Sequence, residues 1–221
     1  MTGAPIGVMG GTFDPVHFGH LRLAQEATEI LGLERVRWVP AGRPWHRVAP
    51  KASAAHRLEM VRLAIVKNPL FELDDAEIRQ TTPSYTVETL ERLRGELGRE
   101  RSIVVLLGTD AFRDLPAWQR WRDLFALAHI FVAQRPGHSL TPGGVPAALA
   151  EEWRKRAGTP TVLGERPGGA IVTYGTTALE ISASAIRAHL AQARSPRYLL
   201  PSAVLEYIEA HGLYAKGNGA P

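Results

Sequence analysis

The chain has 221 residues, of which 45% are hydrophobic and 22% charged, and its formal net charge is +4. This length predicts one α/β domain, or one domain with a small lobe, and the composition is typical of a globular core. With no cysteine, disulfides, thiolate metal sites and a cysteine nucleophile are excluded. Basic residues are mixed with acidic ones and form no block, so we expect no nucleic acid partner.

The sequence gives no sign of a membrane association. No apolar run is long enough to span a bilayer, and the first residues lack a charged segment followed by a long apolar stretch. We therefore expect no membrane partner and no signal peptide, and take the cytoplasm as the expected location. The oligomeric state stays open, with a homo-oligomer among the options.

Apolar periodicity predicts strands and helices that alternate along the chain. The predicted strands are 6–9, 36–39, 71–78, 102–107, His129–Gln134 and 170–174. The predicted helices are 20–31, 53–67, Thr86–Leu97, 118–128, 183–193 and Ser202–Ala210. This alternation predicts a Rossmann-like α/β fold, a doubly wound parallel sheet with helices on both faces.

We expect a single domain over residues 1–214. A stretch rich in glycine and proline at 137–169 is interpreted as a peripheral insertion with a short helix at Ala147–Arg156. Residues 215–221 are expected to form a disordered tail.

The segment 10–20 reads GGTFDPVHFGH and follows the first predicted strand. Gly10 and Gly11 allow a ligand close to the backbone, because no Cβ stands in the way. His17 and His20 lie where a helical pattern begins, and a helix N-terminus presents N–H groups and partial positive charge to a phosphate. A tight turn and a helix cap are the plain alternative. The complete string favours a nucleotide site in which the reacting phosphate faces two imidazoles.

A second candidate anion site, 181–187, reads ISASAIR. Ser182 and Ser184 stand at a predicted helix start, and Arg187 lies one turn further, so hydroxyls, N–H groups and a guanidinium could meet a phosphate. The plain alternative is an N-cap beside a solvated arginine.

Four segments lie near or after the ends of predicted strands, where parallel α/β sheets bind their ligands. We expect them to converge in one cleft, and they are 10–11, 40–47, 108–110 and 181–184.

Both motifs resemble signatures of the nucleotidylyltransferase superfamily. GGTFDPVHFGH resembles its (H/T)xGH motif, and ISASAIR resembles its ISxxxIR motif. The first string looks most like that of bacterial nicotinate-nucleotide adenylyltransferases, and the likeness covers nearly all of residues 5–214. This resemblance implies adenylyl transfer from ATP to nicotinate mononucleotide, giving deamido-NAD and pyrophosphate in NAD biosynthesis. It also implies Mg²⁺ on the triphosphate, held largely by substrate oxygens and water, with no metal ligand assigned to the protein.

The resemblance makes His17, His20 and Arg187 the catalytic residues. The histidines would contact the transferring phosphoryl group, and Arg187 would hold the β- and γ-phosphates together with Ser182 and Ser184. The implied ATP-binding set is Gly10, Gly11, Thr12, Phe13, His17, His20, Gly108, Asp110, Ile181, Ser182, Ser184 and Arg187. Among these, the role of Asp110, near the nucleoside or the metal, is left open.

The acceptor-binding residues that the resemblance implies are Thr12, His46, Arg47, Thr86, Trp118, Gln119 and Arg135. Trp118 would stack on the cationic pyridinium ring, and Trp121 competes with it for that role or for a place in the core. Thr86 would help to bind the nicotinate carboxylate with a backbone N–H near Trp118, or would be an ordinary helix N-cap. Donors aimed at a carboxylate would favour the acid over the amide. At Gln119 the family often carries an aromatic residue.

Further positions match the family less specifically. The loop PAGRPWHR at 40–47 stands where the family has a PPHK-like loop, and Arg47 replaces a common lysine, so its role is open. Arg135 matches a position near the substrate phosphate. The family pattern SxxxRxxM, which includes Arg57, is assigned to helix packing, and residues 198–214 are assigned a structural role.

Three alternatives remain on the sequence alone. One is the same chemistry on another acceptor, such as nicotinamide mononucleotide or phosphopantetheine. Another is a non-catalytic nucleotide-binding regulator. The third is an RNA-binding protein, because class I tRNA synthetases share the HxGH motif, although the chain has no obvious anticodon-binding region.

Overall fold

A computed structural model describes residues 3–44, 49–134, 140–177 and 179–215. Within these ranges one parallel sheet has the spatial order β3-β2-β1-β4-β5-β7-β6. Its strands are β1 (Ile6–Gly11), β2 (Arg35–Pro40), β3 (Phe71–Leu73), β4 (Ile103–Gly108), β5 (His129–Gln134), β6 (Ala157–Gly158) and β7 (Ile171–Gly175). The predicted Rossmann-like α/β fold is confirmed.

Helices connect the strands. They are α1 (Phe18–Leu31), α2 (Ala54–Ile65), α3 (Ala76–Arg79), α4 (Thr86–Leu97), α5 (Thr109–Arg113), α6 (Leu124–Leu127), α7 (Ala147–Arg156), α8 (Ala183–Ala191) and α9 (Ser202–Ala210). Our sequence predictions missed α3, α5 and β6, because such short elements carry too few residues to show a period. In the described part of the chain, no helix has the length and apolar character needed to cross a membrane.

The core forms two layers, one on each face of the sheet. Along β4, Val104 and Leu106 point into the layer that holds α1, α2, α8 and α9. Ile103, Val105 and Leu107 point into the opposite layer, which holds α4, α5, α6 and α7. Successive strand side chains alternate between faces, so a continuous apolar run such as this strand is expected where both faces are covered.

The order of the strands positions the ligand site. From β1 the chain continues to β2 on one side of β1, and it later returns to place β4 on the other side of β1. In the β1–β4 pair, Ile6 is in register with Ile103. The carboxyl ends of β1 and β4, at Gly11 and Gly108, therefore lie side by side at the switch point of the sheet. Crevices at such switch points are where open α/β sheets bind ligands.

The strand predicted at 71–78 is wrong beyond Leu73, where β3 ends. Asp74 follows, and one of its carboxylate oxygens accepts a hydrogen bond from the Ala76 N–H over 3.1 Å. This local side-chain bond turns the backbone and begins α3, which the apolar pattern could not reveal.

The helix predicted at 118–128 is wrong over its first half. Only Leu124–Leu127 is helical, and turns precede it. Arg120 has a φ of +50°, a left-handed conformation that an α-helix does not accommodate. Its guanidinium pairs with Asp123 within the turn and with Glu91 of α4, each at 2.8 Å.

Part of the predicted insertion lies in the described residues. There α7 spans Ala147–Arg156, as predicted, and buries Leu149 and Trp153 in the second core layer. The two residues of β6 add an edge to the sheet beside β7.

Candidate active site

A cavity of about 620 Å³ opens at the carboxyl ends of β1 and β4. Small-molecule sites are typically of this size. The residues of the sequence-predicted sites that line it are Gly10, Gly11, Thr12, Phe13, His17, His20, Thr86, Gly108, Asp110, Trp118, Gln119, Ile181 and Arg187. The cleft expected from the strand order is therefore present.

Five residues of the predicted sites are not placed in this cavity. Ser182 and Ser184 are exposed and do not line it. His46, Arg47 and Arg135 lie outside the described residues.

His17 and His20 form the first pair of candidate functional residues. The N–H of His17 donates to Nδ1 of His20 over 3.2 Å, and the two rings stack with centroids 3.7 Å apart. Because Nδ1 of His20 accepts a hydrogen bond, the proton of the neutral ring lies on Nε2. Phe13 packs edge-on against the same ring at 5.1 Å and helps to fix its orientation.

His17 is 6% exposed, and burial lowers its pKa to about 4. The ring is therefore neutral at pH 7 and meets a ligand as a hydrogen-bonding group, not as a cation. Its buried Nδ1 has no hydrogen-bond partner in the described part of the chain, although the ring lines the cavity. That nitrogen is buried on the Gly19 side of the ring, so a phosphate in the cavity would meet another edge of the imidazole.

Two glycines keep the space around these rings open. A Cβ built on Gly10 would meet no protein atom within 4 Å, which leaves room beside that backbone for a ligand. A Cβ on Gly19 would lie 3.0 Å from Nδ1 of His17. The glycine of the HxGH motif therefore lets the His17 ring lie against the first turn of α1.

Arg187 projects from α8 into the same cavity wall. Its Nη1 donates to the backbone carbonyl of Asp14 over 2.6 Å, which ties α8 to the turn after β1. At the start of the helix, Ser182 Oγ accepts from the Ala185 N–H over 3.2 Å and lies 3.1 Å from Ser184 Oγ. Ser182 is thus a helix N-cap, as the plain alternative expected, while Arg187 faces the cavity.

Arg57 has a positioning role that the sequence interpretation, which assigned it to helix packing, did not include. The side chain is 1% exposed and donates to the carbonyls of Thr12, Ala41 and Gly42 over 2.8, 2.6 and 3.1 Å. It thereby joins the segment after β1 to the segment after β2. A charged residue among the apolar positions of α2 was the signal available in the sequence.

The two tryptophans take different places. Trp118 is half-buried and lines the cavity, whereas Trp121 is 7% exposed and packs in the core against Phe125. Gln119 also lines the cavity. The competition between the tryptophans is therefore decided in favour of Trp118 for the cavity.

Thr86 is the first residue of α4, and Tyr85 is the N-cap, so the N-cap interpretation of Thr86 was wrong. Its side chain lies on the cavity wall near the amino-terminal end of that helix. N–H groups and partial positive charge at a helix start favour a carboxylate there.

Glu77 also lines the cavity and was missed, because it lay inside the strand predicted at 71–78. The residue is 8% exposed, burial raises its pKa, and Thr89 Oγ1 donates to it over 2.5 Å. Nearby, Ser84 Oγ accepts from the N–H groups of Gly42 and Arg43 over 3.1 and 3.3 Å. These contacts connect the segment after β2 to the start of α4.

Asp110 is a carboxylate at the cavity wall with few protein contacts. Its side chain is 82% exposed, and Arg113 lies 3.7 Å away. In the described residues, no three His, Asp or Glu side chains are grouped so that they could hold a metal ion.

The sheet order and the cavity at its switch point define a Rossmann-like protein of the nucleotide-binding class. Comparison with known proteins narrows this class. The chain matches the cytidylyltransferase-like family over residues 8–189. A probable nicotinate-nucleotide adenylyltransferase of Dechloromonas aromatica is 55% identical, over 95% of this chain and 97% of that protein.

A second protein of that name, from Pseudomonas fluorescens, is 45% identical over 98% of this chain and its own full length. Among solved structures, Plasmodium falciparum nicotinic acid mononucleotide adenylyltransferase complexed with NaAD aligns with a TM-score of 0.71. That alignment covers 95% of this chain and 97% of the other at 17% identity, and so supports the fold alone. The chain therefore belongs to the cytidylyltransferase-like family and, within it, to the nicotinate-nucleotide adenylyltransferases. The predicted family, a family of nucleotidyltransferases, is confirmed.

Proposed function

We propose that the chain transfers the adenylyl group of ATP to the phosphate of nicotinate mononucleotide, giving deamido-NAD and pyrophosphate in NAD biosynthesis. The observation that carries the proposal is the pair of stacked imidazoles, His17 and His20, on the wall of a cavity that Arg187 also lines. The names of the full-length relatives support the same reaction.

The reaction needs alignment more than it needs a base. The nucleophile is a phosphate oxygen of the mononucleotide, and the second pKa of a phosphate monoester is about 6, so the group is mostly a dianion at neutral pH. That oxygen forms a bond to the α-phosphorus of ATP, and the bond from this phosphorus to the oxygen bridging the α- and β-phosphates breaks. Pyrophosphate leaves with the electron pair. The work left to the protein is to hold two phosphates in line and to stabilise negative charge.

His17 and His20 would supply that stabilisation as neutral hydrogen-bond donors. Burial keeps His17 uncharged at pH 7, and the hydrogen bond to Nδ1 of His20 leaves an N–H on its Nε2. Donors that are already oriented before the reaction stabilise a transition state without reorganisation. The guanidinium of Arg187 would bind the β- and γ-phosphates, whose charge grows as pyrophosphate leaves.

Magnesium would be held mainly by the triphosphate. Of three carboxylates on the cavity wall, Asp14 and Glu77 are engaged by hydrogen bonds within the protein, and Asp110 is exposed. Asp110 is therefore the residue that fits a contact with a hydrated metal ion, and substrate oxygens and water would complete the coordination. Bound Mg²⁺ would neutralise charge on the phosphates.

The acceptor would occupy the side of the cavity lined by Thr86, Trp118 and Gln119. An indole face attracts a cation, and the pyridinium ring of the mononucleotide is one. The Thr86 hydroxyl and the N–H of Gln119 would donate to the nicotinate carboxylate. A carboxamide would present its own N–H₂ group to those donors, so the acid should be preferred.

The test is pyrophosphate release with ATP, Mg²⁺ and either nicotinate or nicotinamide mononucleotide. Fast release with the acid and little with the amide supports both the reaction and the carboxylate site. Comparable rates would keep the transferase and discard the selectivity argument. ATP binding without release, with these acceptors and with phosphopantetheine, would overturn the transferase in favour of a nucleotide-binding regulator.

A further inference from the structure

The carboxylate of Asp14, in the turn between β1 and α1, is held by three donors. Oδ2 accepts from the Lys51 N–H over 2.8 Å, and Oδ1 accepts from the Ala52 N–H over 3.1 Å. The hydroxyl of Tyr214 donates to Oδ1 as well, over 2.7 Å. Asp14 is 6% exposed, so these bonds replace most of the solvation that its charge has lost.

Tyr214 reaches this turn from the other end of the chain. It follows α9 in a turn in which the Leu213 N–H bonds to the Ile208 carbonyl over 3.0 Å, and its own φ is +66°. Burial raises the pKa of its phenol, and the bond to Asp14 raises it further. The phenol therefore keeps its proton at neutral pH and remains a donor to the carboxylate.

The same carboxylate lies close to Arg187. Nη1 of Arg187 donates to the backbone carbonyl of Asp14 over 2.6 Å, and Oδ2 lies 3.8 Å from that nitrogen. The carboxylate is thus near the guanidinium but beyond hydrogen-bond distance. The two groups are at salt-bridge distance, and a shorter, hydrogen-bonded pair would occupy the guanidinium donors that face the cavity and would compete with a bound anion.

We propose that Tyr214 is a positioning residue for Arg187. By donating to Asp14, its hydroxyl keeps the carboxylate turned toward the backbone N–H groups of Lys51 and Ala52, and the Arg187 guanidinium keeps its remaining N–H donors for the triphosphate. This inference rests on the proposed function for the identity of the anion, a nucleoside triphosphate.

A binding experiment without acceptor separates the inference from the reaction. Calorimetric titration of Tyr214→Phe with ATP and with AMP compares a ligand that reaches Arg187 through its β- and γ-phosphates with one that does not. We expect ATP affinity to fall about tenfold, as the loss of a hydrogen bond to a charged group allows, and AMP affinity to stay within about twofold. Equal losses for both ligands, or no loss for ATP, would overturn the proposal.

The competing charge can also be removed. In an Asp14→Asn background no carboxylate remains to pair with Arg187, so adding Tyr214→Phe should change ATP affinity by less than about twofold. If the double variant instead loses ATP affinity by the product of the two single effects, the tyrosine only anchors the chain end. If Asp14→Asn does not fold, the ATP and AMP comparison decides alone.

Tyr207→Phe is the matched control. It also removes a tyrosine hydroxyl, but one on α9. That hydroxyl bonds to Nδ1 of His56 over 2.9 Å, and Tyr207 does not line the cavity. We expect this variant to bind ATP as the unaltered chain does. In turnover assays Tyr214→Phe should raise KM for ATP more than it lowers kcat. An unaltered chain that binds ATP but releases no pyrophosphate would contradict the proposed function and leave the binding comparison valid.

Discussion

The imidazole rings of His17 and His20 stack with their centroids 3.7 Å apart and their planes 25° apart. Two imidazolium cations at this distance would repel each other, so the pair favours neutral rings. Burial reinforces this for His17 by lowering its pKa. In the proposed reaction the pair would therefore act on a phosphate through oriented N–H groups and not through positive charge.

Replacing either histidine should affect turnover more than binding. We expect His17→Ala or His20→Ala to lower kcat about 100-fold or more, while ATP affinity falls by much less, because the donors act on charge that develops in the transition state. Steady-state kinetics and calorimetry give the two quantities. His56→Ala, outside the cavity, is the control and should leave kcat unchanged. Equal losses in kcat and affinity would argue against a transition-state role.

The titration of His17 can be observed directly. In the protein without ligand, NMR should show its ring titrating near its expected pKa of about 4 instead of the ordinary 6.5. Since the folded-state pKa is the lower one, His17 contributes stability above pH 6.5, and this contribution is lost as the pH falls toward 4. The loss could reach about 3 kcal/mol.

The comparison for this prediction is His17→Gln, which should unfold with a shallower dependence on pH in that range. Burial also lowers the pKa of His129, so part of the slope will remain in the variant. A ring that titrates near 6.5 would contradict the prediction.

The glycine between the two histidines should be intolerant of a side chain. A Cβ at Gly19 lies 3.0 Å from Nδ1 of His17, so Gly19→Ala must displace that ring. We expect kcat to fall about tenfold or more from a misplacement of this kind. Gly95→Ala, in the interior of α4 with no atom within 4 Å of its Cβ, should leave kcat unchanged and stabilise the helix. An active Gly19→Ala enzyme would show that the ring position matters little.

Arg57 should be irreplaceable by lysine. A lysine ammonium cannot match the planar fork that bonds the carbonyls of Thr12, Ala41 and Gly42. We expect Arg57→Lys to lower the free energy of unfolding by about 2 kcal/mol in a urea titration, and to lower activity. Arg62→Lys, on the exposed side of the same helix, should show no measurable change. Equal behaviour of the two variants would rule out the joining role of Arg57.

Acid-over-amide selectivity should depend on Thr86. In Thr86→Val the hydroxyl is lost with little change of shape, so kcat/KM for nicotinate mononucleotide should fall about tenfold while that for the amide changes less. Thr161→Val, whose hydroxyl bonds to Thr159 Oγ1 and does not line the cavity, is the control. A parallel loss for both acceptors would place the carboxylate elsewhere.

Much of the fold could be predicted from the sequence because its signals are local. Alternating apolar periods predicted the parallel sheet, and His129–Gln134, Thr86–Leu97 and Ser202–Ala210 have the predicted bounds. The predictions failed at 71–78 and 118–128, where the Asp74 side chain and the left-handed Arg120 redirect the backbone through single contacts that have no period.

In the candidate site, too, some features follow from a local sequence pattern and others only from the tertiary structure. The sequence by itself determined the family and the positions of His17 and His20. Their motif is one continuous segment of eleven residues between the end of β1 and the start of α1, so it can be recognised locally. Only the tertiary structure decided that Trp118 faces the cavity, that Arg57 joins two loops, and that Tyr214 meets Asp14 across 200 positions. Such contacts depend on which segments the sheet brings together, and no local pattern of residues encodes the proximity of segments that are far apart in the sequence.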